Sequence, residues 1–558
     1  MKRMFSLLLT AVLAIFLAGC AGIPTSGPVN AGSALVSTDT STIEFFPAGP
    51  IQDASQEQIL RGFLEAASGP QNDYAVAKQF LTPEFQTKWD PNAGVSIDSS
   101  LRSITMGANN TATLKSAVSA TIDSTGQYVE LPAPTERTVG YSFAQVSGQW
   151  RLSSAPQGVI LERSIVDLIY RTYPIYFFDP SFRYLVPDVR WFARASAATT
   201  RITKALLSGP APWLGSGGAV TTAFPVNSGL VANSVPVLKE IAMADFTSAL
   251  NVADPTAVLR MKQQLTASLV GVNSVNAVEM YVEGVPLGQG MQVLIDSVTP
   301  PAVDSRAFVV SDRGAGFLDG DFISPVPNIS PALAGSYAAV TLSSGNRYAA
   351  TLSADGVSLV RPAAGISVVD SRSGLIAPSM DRFNYVWSVP RAAPAEILAT
   401  SPDGASAKVS VPWSATSVTA LEVSHEGARV AILFSDTNGP KLVVASVIRG
   451  DNGIPVRLGG VVSLQLPPGS PIDIAWIDAT TVAVMSNSGS ASVIFSDVVG
   501  GRSQSLPSFV VGNAVSISGG KNLSQVRLLG PDGRLYGLRS SSTWSAVASG
   551  IKVLGVLQ

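Results

Sequence analysis

The chain is poor in the residues that most often carry chemistry. Its 558 residues include one cysteine, Cys20, and one histidine, His425. A single cysteine excludes an internal disulfide framework and any site built from several thiolates, and a single histidine leaves few acid–base arrangements. We therefore expect no enzymatic activity, with no catalytic residues, no bound metal and no cofactor.

Charge is also scarce and nearly balanced. Charged residues make up 14% of the chain and the formal net charge is −2, so nothing in the composition favours nucleic-acid binding. The hydrophobic fraction of 46% allows large buried cores. With 49 glycines and 37 prolines, the composition favours many short strands and turns, and the length allows several domains.

The one long apolar run lies at the N-terminus. It extends from Met4 to Phe16, follows Lys2 and Arg3, and ends in Leu17-Ala18-Gly19-Cys20. A run this short, closed by small residues, is typical of a secretion signal rather than a membrane-spanning helix. We predict a signal peptide over residues 1–19, with cleavage between Gly19 and Cys20. The alternative is an ordinary signal peptide with a chance cysteine.

Two α+β units are predicted after a tether at residues 20–40, which is rich in small residues. In the first unit, 41–160, Ser55 and Gln58 match a capping box before an amphipathic helix, and strands follow the helices. This order predicts an α+β cone. In the second unit, 161–295, a predicted hairpin precedes helices near 199–208 and after Asp254-Pro255, with a strand at Ala277–Val282.

From residue 296 to 558 the pattern changes to strand, turn, strand. Gly345-Asn346-Arg347-Tyr348-Ala349 recurs 82 residues later as Gly427-Ala428-Arg429-Val430-Ala431, which corresponds to two repeats of about 41 residues. Repeats of this length with four strands each predict a β-propeller of about six blades. A pair of β-sandwiches is the alternative.

Two sets of residues in this region are catalytic candidates. His425 would have to serve any Ser–His–Asp site, but its neighbours Glu426-Gly427 predict a solvent-exposed turn. Asp312, Asp319 and Asp321 could supply a carboxylate pair or calcium ligands. Their glycine neighbours instead indicate ordinary turn residues.

Several segments along the chain together match one family. They are Leu17–Cys20, Gly22–Val29, Ile59–Leu64, Tyr176–Pro180, Leu185–Trp191, Ser208–Pro210, Thr222–Pro225, Leu375–Ser379 and Trp387. In this order they resemble the LpqB family of actinobacterial lipoproteins. The middle unit is similar to the GerMN domain of spore-germination proteins, and the first is expected to be an NTF2-like cone. One departure is Ser424-His425-Glu426-Gly427, where the family pattern would be Ser-Pro-Asp-Gly.

The resemblance implies a lipid anchor and a signalling partner. In this family the Cys20 thiol would carry diacylglycerol, and its α-amine, once freed by cleavage, would carry an acyl chain such as palmitate. The protein would sit on the extracytoplasmic face of the cell membrane. It would bind the sensor domain of the histidine kinase MtrB and modulate two-component signalling through MtrA, in cell-envelope homeostasis and division. The alternatives are a lipoprotein that binds cell-wall glycan or peptide without a kinase partner and, more remotely, a propeller hydrolase.

Overall fold

The computed structural model describes residues 47–194, 197–251, 254–290, 303–362, 364–450, 452–539 and 543–558, apart from the side chains of residues 100 and 101. The predicted signal peptide and tether, with Cys20, lie outside this part of the chain. The longest helix in the described part has 15 residues, and none is both long and apolar enough to cross a bilayer. The fold is an α+β N-terminal half followed by a β-propeller, as the sequence predicts.

The first domain packs three short helices against a five-stranded sheet. Helix α1 begins at the predicted capping box: the Ser55 hydroxyl accepts a hydrogen bond from the backbone of Gln58, whose side chain accepts one from the backbone N–H of Ser55. Its apolar side chains and the inner face of the sheet form one core. The helices are α1 (Gln56–Ala66), α2 (Ala75–Lys78) and α3 (Pro83–Gln86). The sheet, in the order β4-β3-β2-β1-β5, contains β1 (Gly94–Gly107), β2 (Thr111–Asp123), β3 (Tyr128–Val146), β4 (Gln149–Ser154) and β5 (Val159–Glu162).

The second domain combines a long hairpin with a small mixed sheet and four helices. The hairpin strands β6 and β7 pair along their full length, and a four-stranded sheet in the order β11-β10-β9-β8 completes the domain. Its helices are α4 (Arg163–Ile169), α5 (Ala198–Ser208), α6 (Pro212–Gly215) and α7 (Pro255–Leu269), α4 being the connection from the first domain. Its strands are β6 (Tyr170–Phe178), β7 (Leu185–Ala193), β8 (Val237–Leu238), β9 (Ile241–Phe246), β10 (Ala277–Val282) and β11 (Val285–Leu287).

Six sheets follow, which we number as blades 1 to 6. Blade 1 is β12–β14 with β35, blade 2 is β15–β18 with β36, and blades 3 to 6 are β19–β22, β23–β26, β27–β30 and β31–β34. The two copies of the sequence repeat occupy the same place in blades 2 and 4, the turn into the second strand. The spacing of 82 residues therefore corresponds to two blades.

The strands of the propeller have these bounds: β12 (Phe308–Ser311), β13 (Gly314–Asp319), β14 (Phe322–Ser324), β15 (Ala339–Leu342), β16 (Ala349–Ser353), β17 (Gly356–Arg361), β18 (Gly365–Asp370), β19 (Ser379–Met380), β20 (Val386–Ser388), β21 (Ile397–Thr400), β22 (Ser406–Val409), β23 (Ser417–Val423), β24 (Arg429–Asp436), β25 (Gly439–Arg449), β26 (Pro455–Leu464), β27 (Ser470–Trp476), β28 (Thr481–Ser488), β29 (Ala491–Val498), β30 (Ser503–Ser505), β31 (Ser516–Ser518), β32 (Arg527–Leu529), β33 (Leu535–Arg539), β34 (Thr543–Ala548), β35 (Ile551–Leu554) and β36 (Val556–Leu557).

The ring closes through strands that are distant in sequence. Strand β35 pairs with β12 and becomes the innermost strand of blade 1, while β36 pairs in parallel with β15 of blade 2. The Gln558 side-chain amide then donates to the carbonyl of Val423 in blade 4 (3.0 Å). Residues 551–558 thus connect three blades across the centre of the ring.

The two faces of the propeller have different neighbours. We call proximal the face formed by the turns that join the first to the second and the third to the fourth strand of each blade, and distal the opposite face. The second domain contacts proximal turns: Trp191 donates to the carbonyl of Gly500 (3.3 Å), and Tyr184 packs edge-on against Phe383 (6.0 Å between ring centres). Helix α6 also contacts the outer strand β26 of blade 4.

Candidate functional site

The turn between β23 and β24 of blade 4, on the proximal face, contains Ser424–Gly427, the segment that departs from the family pattern. Glu426 and Arg429 form a buried ion pair (2.8 Å) in which each side chain is at most 2% exposed. The Ser424 hydroxyl bonds the same carboxylate, and the Arg429 guanidinium lies over the ring of Trp476. The glutamate therefore holds the turn through a salt bridge inside the protein.

His425 lies in this turn, and its expected exposure to solvent was wrong. It is 7% exposed, because the turn packs beneath the second domain, whose core includes the neighbouring Ala428. Neither ring nitrogen has a hydrogen-bond partner among the described residues, and burial lowers the pKa of the imidazole to about 4. The serine and carboxylate contacts of a Ser–His–Asp site are therefore not formed around His425 in the described part of the chain.

The three aspartates singled out from the sequence do not converge. Asp312 lies in the distal turn after β12 and forms an ion pair with Lys552. Asp319 and Asp321 flank Gly320 in the turn between β13 and β14, at the other end of the six-residue strand β13. That strand separates the two turns by about 16 Å. The structure thus places them in ordinary turns, as the glycines indicate.

The site that the fold creates is the central channel of the propeller. Residues from the first strand of each blade line a cavity of about 290 Å³. Its proximal end is crossed by Val556–Gln558, and residues of the distal rim include Ala338, Arg391, Val515 and Lys552. The cavity therefore lies in the distal half of the channel.

Two carboxyl groups line this channel. Glu422, on β23, is 5% exposed and accepts a hydrogen bond from the backbone N–H of Trp476 (3.2 Å). Asp473, on β27, accepts bonds from the N–H groups of Ile474 (3.0 Å) and Ile517 (2.9 Å). Burial raises the pKa of Asp473 to about 7, and burial with the adjacent Asp473 raises the pKa of Glu422 well above its usual range. Two such groups favour a ligand that donates hydrogen bonds.

Sequence reasoning missed this pair. Its signal was one acid at an inward position of an otherwise apolar strand, as in Val418–Val423 and Pro471–Trp476. Such a residue can be recognised only once the inner strand of a blade is known, because the same acid on an outer strand would face solvent.

A second feature of the distal face is the loop that enters blade 6. In Phe509–Val515, Val510 is 76% exposed, Val511 51% and Val515 57%, and Val515 also lines the channel mouth. Exposed apolar side chains grouped within a few residues of one loop can mark a site of association. We call these three residues the valine patch.

Family comparisons agree with this three-domain architecture. The model of the LpqB N-terminal domain matches residues 49–167, a model described as "Sporulation and spore germination" matches 174–288, and the LpqB beta-propeller model matches 310–553. Their order is that of an actinobacterial lipoprotein built from two α+β domains and a propeller. The chain belongs to the lipoprotein LpqB family.

The named relatives match to different extents. Lipoprotein LpqB of Thermobifida fusca is 26% identical, with 87% of each chain covered, and that of Mycobacterium bovis is 25% identical over 86% of this chain and 88% of its own. The protein of Cutibacterium acnes is 34% identical over 35% of this chain and 33% of its own length. None of these names describes an enzyme.

Solved structures with similarity to this chain include virginiamycin B lyase from Staphylococcus aureus, at 13% identity and a TM-score of 0.29, covering 45% of this chain and 86% of the lyase. The Dos1 propeller is 12% identical with a TM-score of 0.28, covering 45% of this chain and 75% of its own. The propeller of this chain is defined by its own six sheets, and no activity of these proteins is assigned to it.

Proposed function

We propose that this chain is a lipid-anchored protein on the extracytoplasmic face of the cell membrane, where it binds the sensor domain of the kinase MtrB and modulates MtrA signalling without catalysing a reaction. The observation that carries the binding role is the valine patch beside the channel mouth. The second domain contacts the proximal face, so the distal face is the side on which a partner can approach the propeller. The identity of the partner comes from the family resemblance.

The lipid is proposed on Cys20, after cleavage behind Gly19. One acyl chain gives marginal membrane binding, whereas two or three hold a protein stably. An anchor of that kind confines the propeller near the membrane and raises its effective concentration for a membrane-bound partner.

The distal face also separates the kinase proposal from the cell-wall alternative. Carbohydrate platforms are usually aromatic, whereas the exposed apolar side chains at the channel mouth are valines. Among the described residues of the propeller, the exposed large aromatic side chain is Phe322, 79% exposed, on the outer strand of blade 1. A valine surface suits a protein partner better than a glycan.

The test measures binding of the Cys20→Ser full-length chain, which is expected without lipid, to the purified MtrB sensor domain by surface plasmon resonance. We expect saturable binding that V510D/V511D weakens at least tenfold, because each change places a charge in the interface. The matched control is V226D, since Val226 is 86% exposed on the second domain.

Three outcomes would contradict the proposal: no complex with the sensor domain, equal losses for V226D and V510D/V511D, or an unchanged MtrA response in a deletion strain. Retention on purified peptidoglycan together with no kinase complex would favour the cell-wall alternative.

A further inference from the structure

A second cavity lies where all three domains meet. It has a volume of about 340 Å³, and its lining includes Tyr128 and Glu130 from the first domain, Asp188 and Trp213 from the second, and Asp497 of blade 5. This volume is in the range that holds small-molecule ligands. Because each domain contributes to the wall, the cavity exists only in the assembled chain.

Two of its carboxylates already have cationic partners. Asp188 is paired with Arg190 (2.6 Å) in a buried contact, and it also accepts the backbone N–H of Ala211. Glu130 is paired with Arg163 (2.7 Å). Neither guanidinium group belongs to the cavity wall.

Asp497 is different. It is 2% exposed, and among the described residues its Oδ2 has no partner that meets the geometry of a hydrogen bond. Burial raises the pKa of Asp497 to about 7, although the nearby Ser503 hydroxyl, also in the cavity wall, and the Gln465 N–H act to lower it. No described lysine or arginine pairs with this carboxylate, and a buried carboxylate without a cationic partner costs free energy that an ammonium donor in the cavity would recover.

The charges of the residues that line the cavity indicate which kind of hydrogen-bond donor it would bind. Among the described residues that line the cavity, three are carboxylates and none is lysine or arginine. The rings of Tyr128 and Trp213 add electron-rich surfaces, which attract cations within a few ångströms. Because Arg190 and Arg163 already pair with Asp188 and Glu130, Asp497 is the acid left for a ligand. Together with the aromatic rings it favours an organic cation over an anion or a neutral apolar molecule.

We propose that this cavity binds a small primary amine, whose ammonium group pairs with Asp497 while its carbon stem lies against the rings of Tyr128 and Trp213. The same chemistry occurs in free diamines and in the side-chain amine of a peptide. Binding would join the three domains, because the ligand contacts a wall that all of them form. This proposal does not depend on the kinase proposal, and its assay contains no kinase.

The experiment is isothermal titration of the Cys20→Ser full-length chain with 1,5-diaminopentane, with neutral 1,5-pentanediol and with CaCl₂, alongside thermal unfolding. We expect the diamine to bind and to raise Tm. Because Asp497 must be ionised to pair with the ammonium group, the affinity of the protein for the diamine should rise about tenfold from pH 6 to pH 8. N-acetyl-lysine amide then tests a peptide amine against the free diamine.

Two variants locate the site. D497N should weaken diamine binding at least tenfold without lowering the Tm of the unliganded chain, since Oδ2 makes no hydrogen bond there. D319N removes an exposed carboxylate outside the cavity and should change neither quantity. V461K, at a cavity position that is 41% exposed, should place a tethered ammonium in the site and weaken binding of the free diamine.

The proposal is overturned if the diol binds as tightly as the diamine, if calcium displaces the diamine at equal concentration, or if no diamine binds at millimolar concentration. Undiminished binding by both D497N and V461K would place any amine site elsewhere.

Discussion

The buried His425 predicts how stability depends on pH. Its ring is neutral inside the protein, with a pKa of about 4, whereas an unfolded histidine titrates near 6.5. Between these values the unfolded chain binds a proton that the folded chain does not. Stability from this group is therefore fully present above pH 6.5 and is lost as the pH falls toward 4.

The magnitude follows from the shift. A difference of 2.5 pKa units corresponds to about 3 kcal/mol in the unit that unfolds with blade 4. His425→Leu has a similar volume and sacrifices no hydrogen bond, because both ring nitrogens lack partners. The variant and the parent should match in stability at pH 8. At pH 4 the variant should be the more stable by that amount, which is on the order of 6 °C in Tm for a domain of this size.

The assay is thermal unfolding of both proteins between pH 4 and 8, and the quantity to compare is their difference in Tm. Asp473 and Asp497 have raised pKa values and oppose the histidine, since their stability contribution is lost as the pH rises toward 7. They are present in both chains and cancel in the difference. The charged groups that act on His425 (Arg382, Glu426, Arg429 and Asp478) are likewise retained.

The control is H425L/T437H, which returns a histidine to the chain in an exposed turn and should leave the Tm difference from the parent unchanged. A difference that is constant from pH 4 to 8 would show that packing, not protonation, sets the effect of His425→Leu. Such a result would refute the reasoning.

Three further predictions concern single residues. Arg429→Met should destabilise blade 4 by about 3–5 kcal/mol, since it leaves Glu426 buried and unpaired, while Arg534→Met at an exposed pair should have no measurable effect; denaturant unfolding compares them. Gly519→Ala should lower Tm by several degrees, because its Cβ would lie 1.8 Å from the carbonyl oxygen of Trp476. Gly140→Ala should leave Tm unchanged, because its Cβ meets no described atom within 4 Å; identical Tm values for the two variants would contradict the packing. Cys20→Ser should move the protein from the membrane fraction to the soluble fraction, and the anchor proposal fails if membrane retention persists.

Local signals predicted the elements that carry them. The capping box at Ser55 begins α1, Asp254 caps α7, and the strand expected at Ala277–Val282 is β10. Strand β1 escaped prediction because the side chains of residues 102–107 in its second half are exposed or half-buried on both faces, so the alternation is weak there. Strand β5 escaped because Val159–Leu161 are all buried and run directly into the helical pattern of α4.

The propeller followed from its repeat, but its sites did not. The burial of His425 and the cavity at Asp497 depend on how the second domain sits on the proximal turns, which no spacing within one blade encodes. The pairing of Glu422 with Asp473 likewise depends on two adjacent blades meeting at the ring centre. Contacts between units set these features, and the sequence patterns describe single units.

The strand that completes blade 1 has a consequence for the order of assembly. Strand β12 ends at Ser311 and its inner partner begins at Ile551, about 240 residues downstream. Blade 1 is therefore incomplete until that segment has been synthesised. Until that segment has been synthesised, β12 is an unpaired edge, and such edges readily join other chains. Contacts this distant in sequence also slow folding. A chaperone that shields blade 1 would therefore protect the protein most while the later blades are still being made.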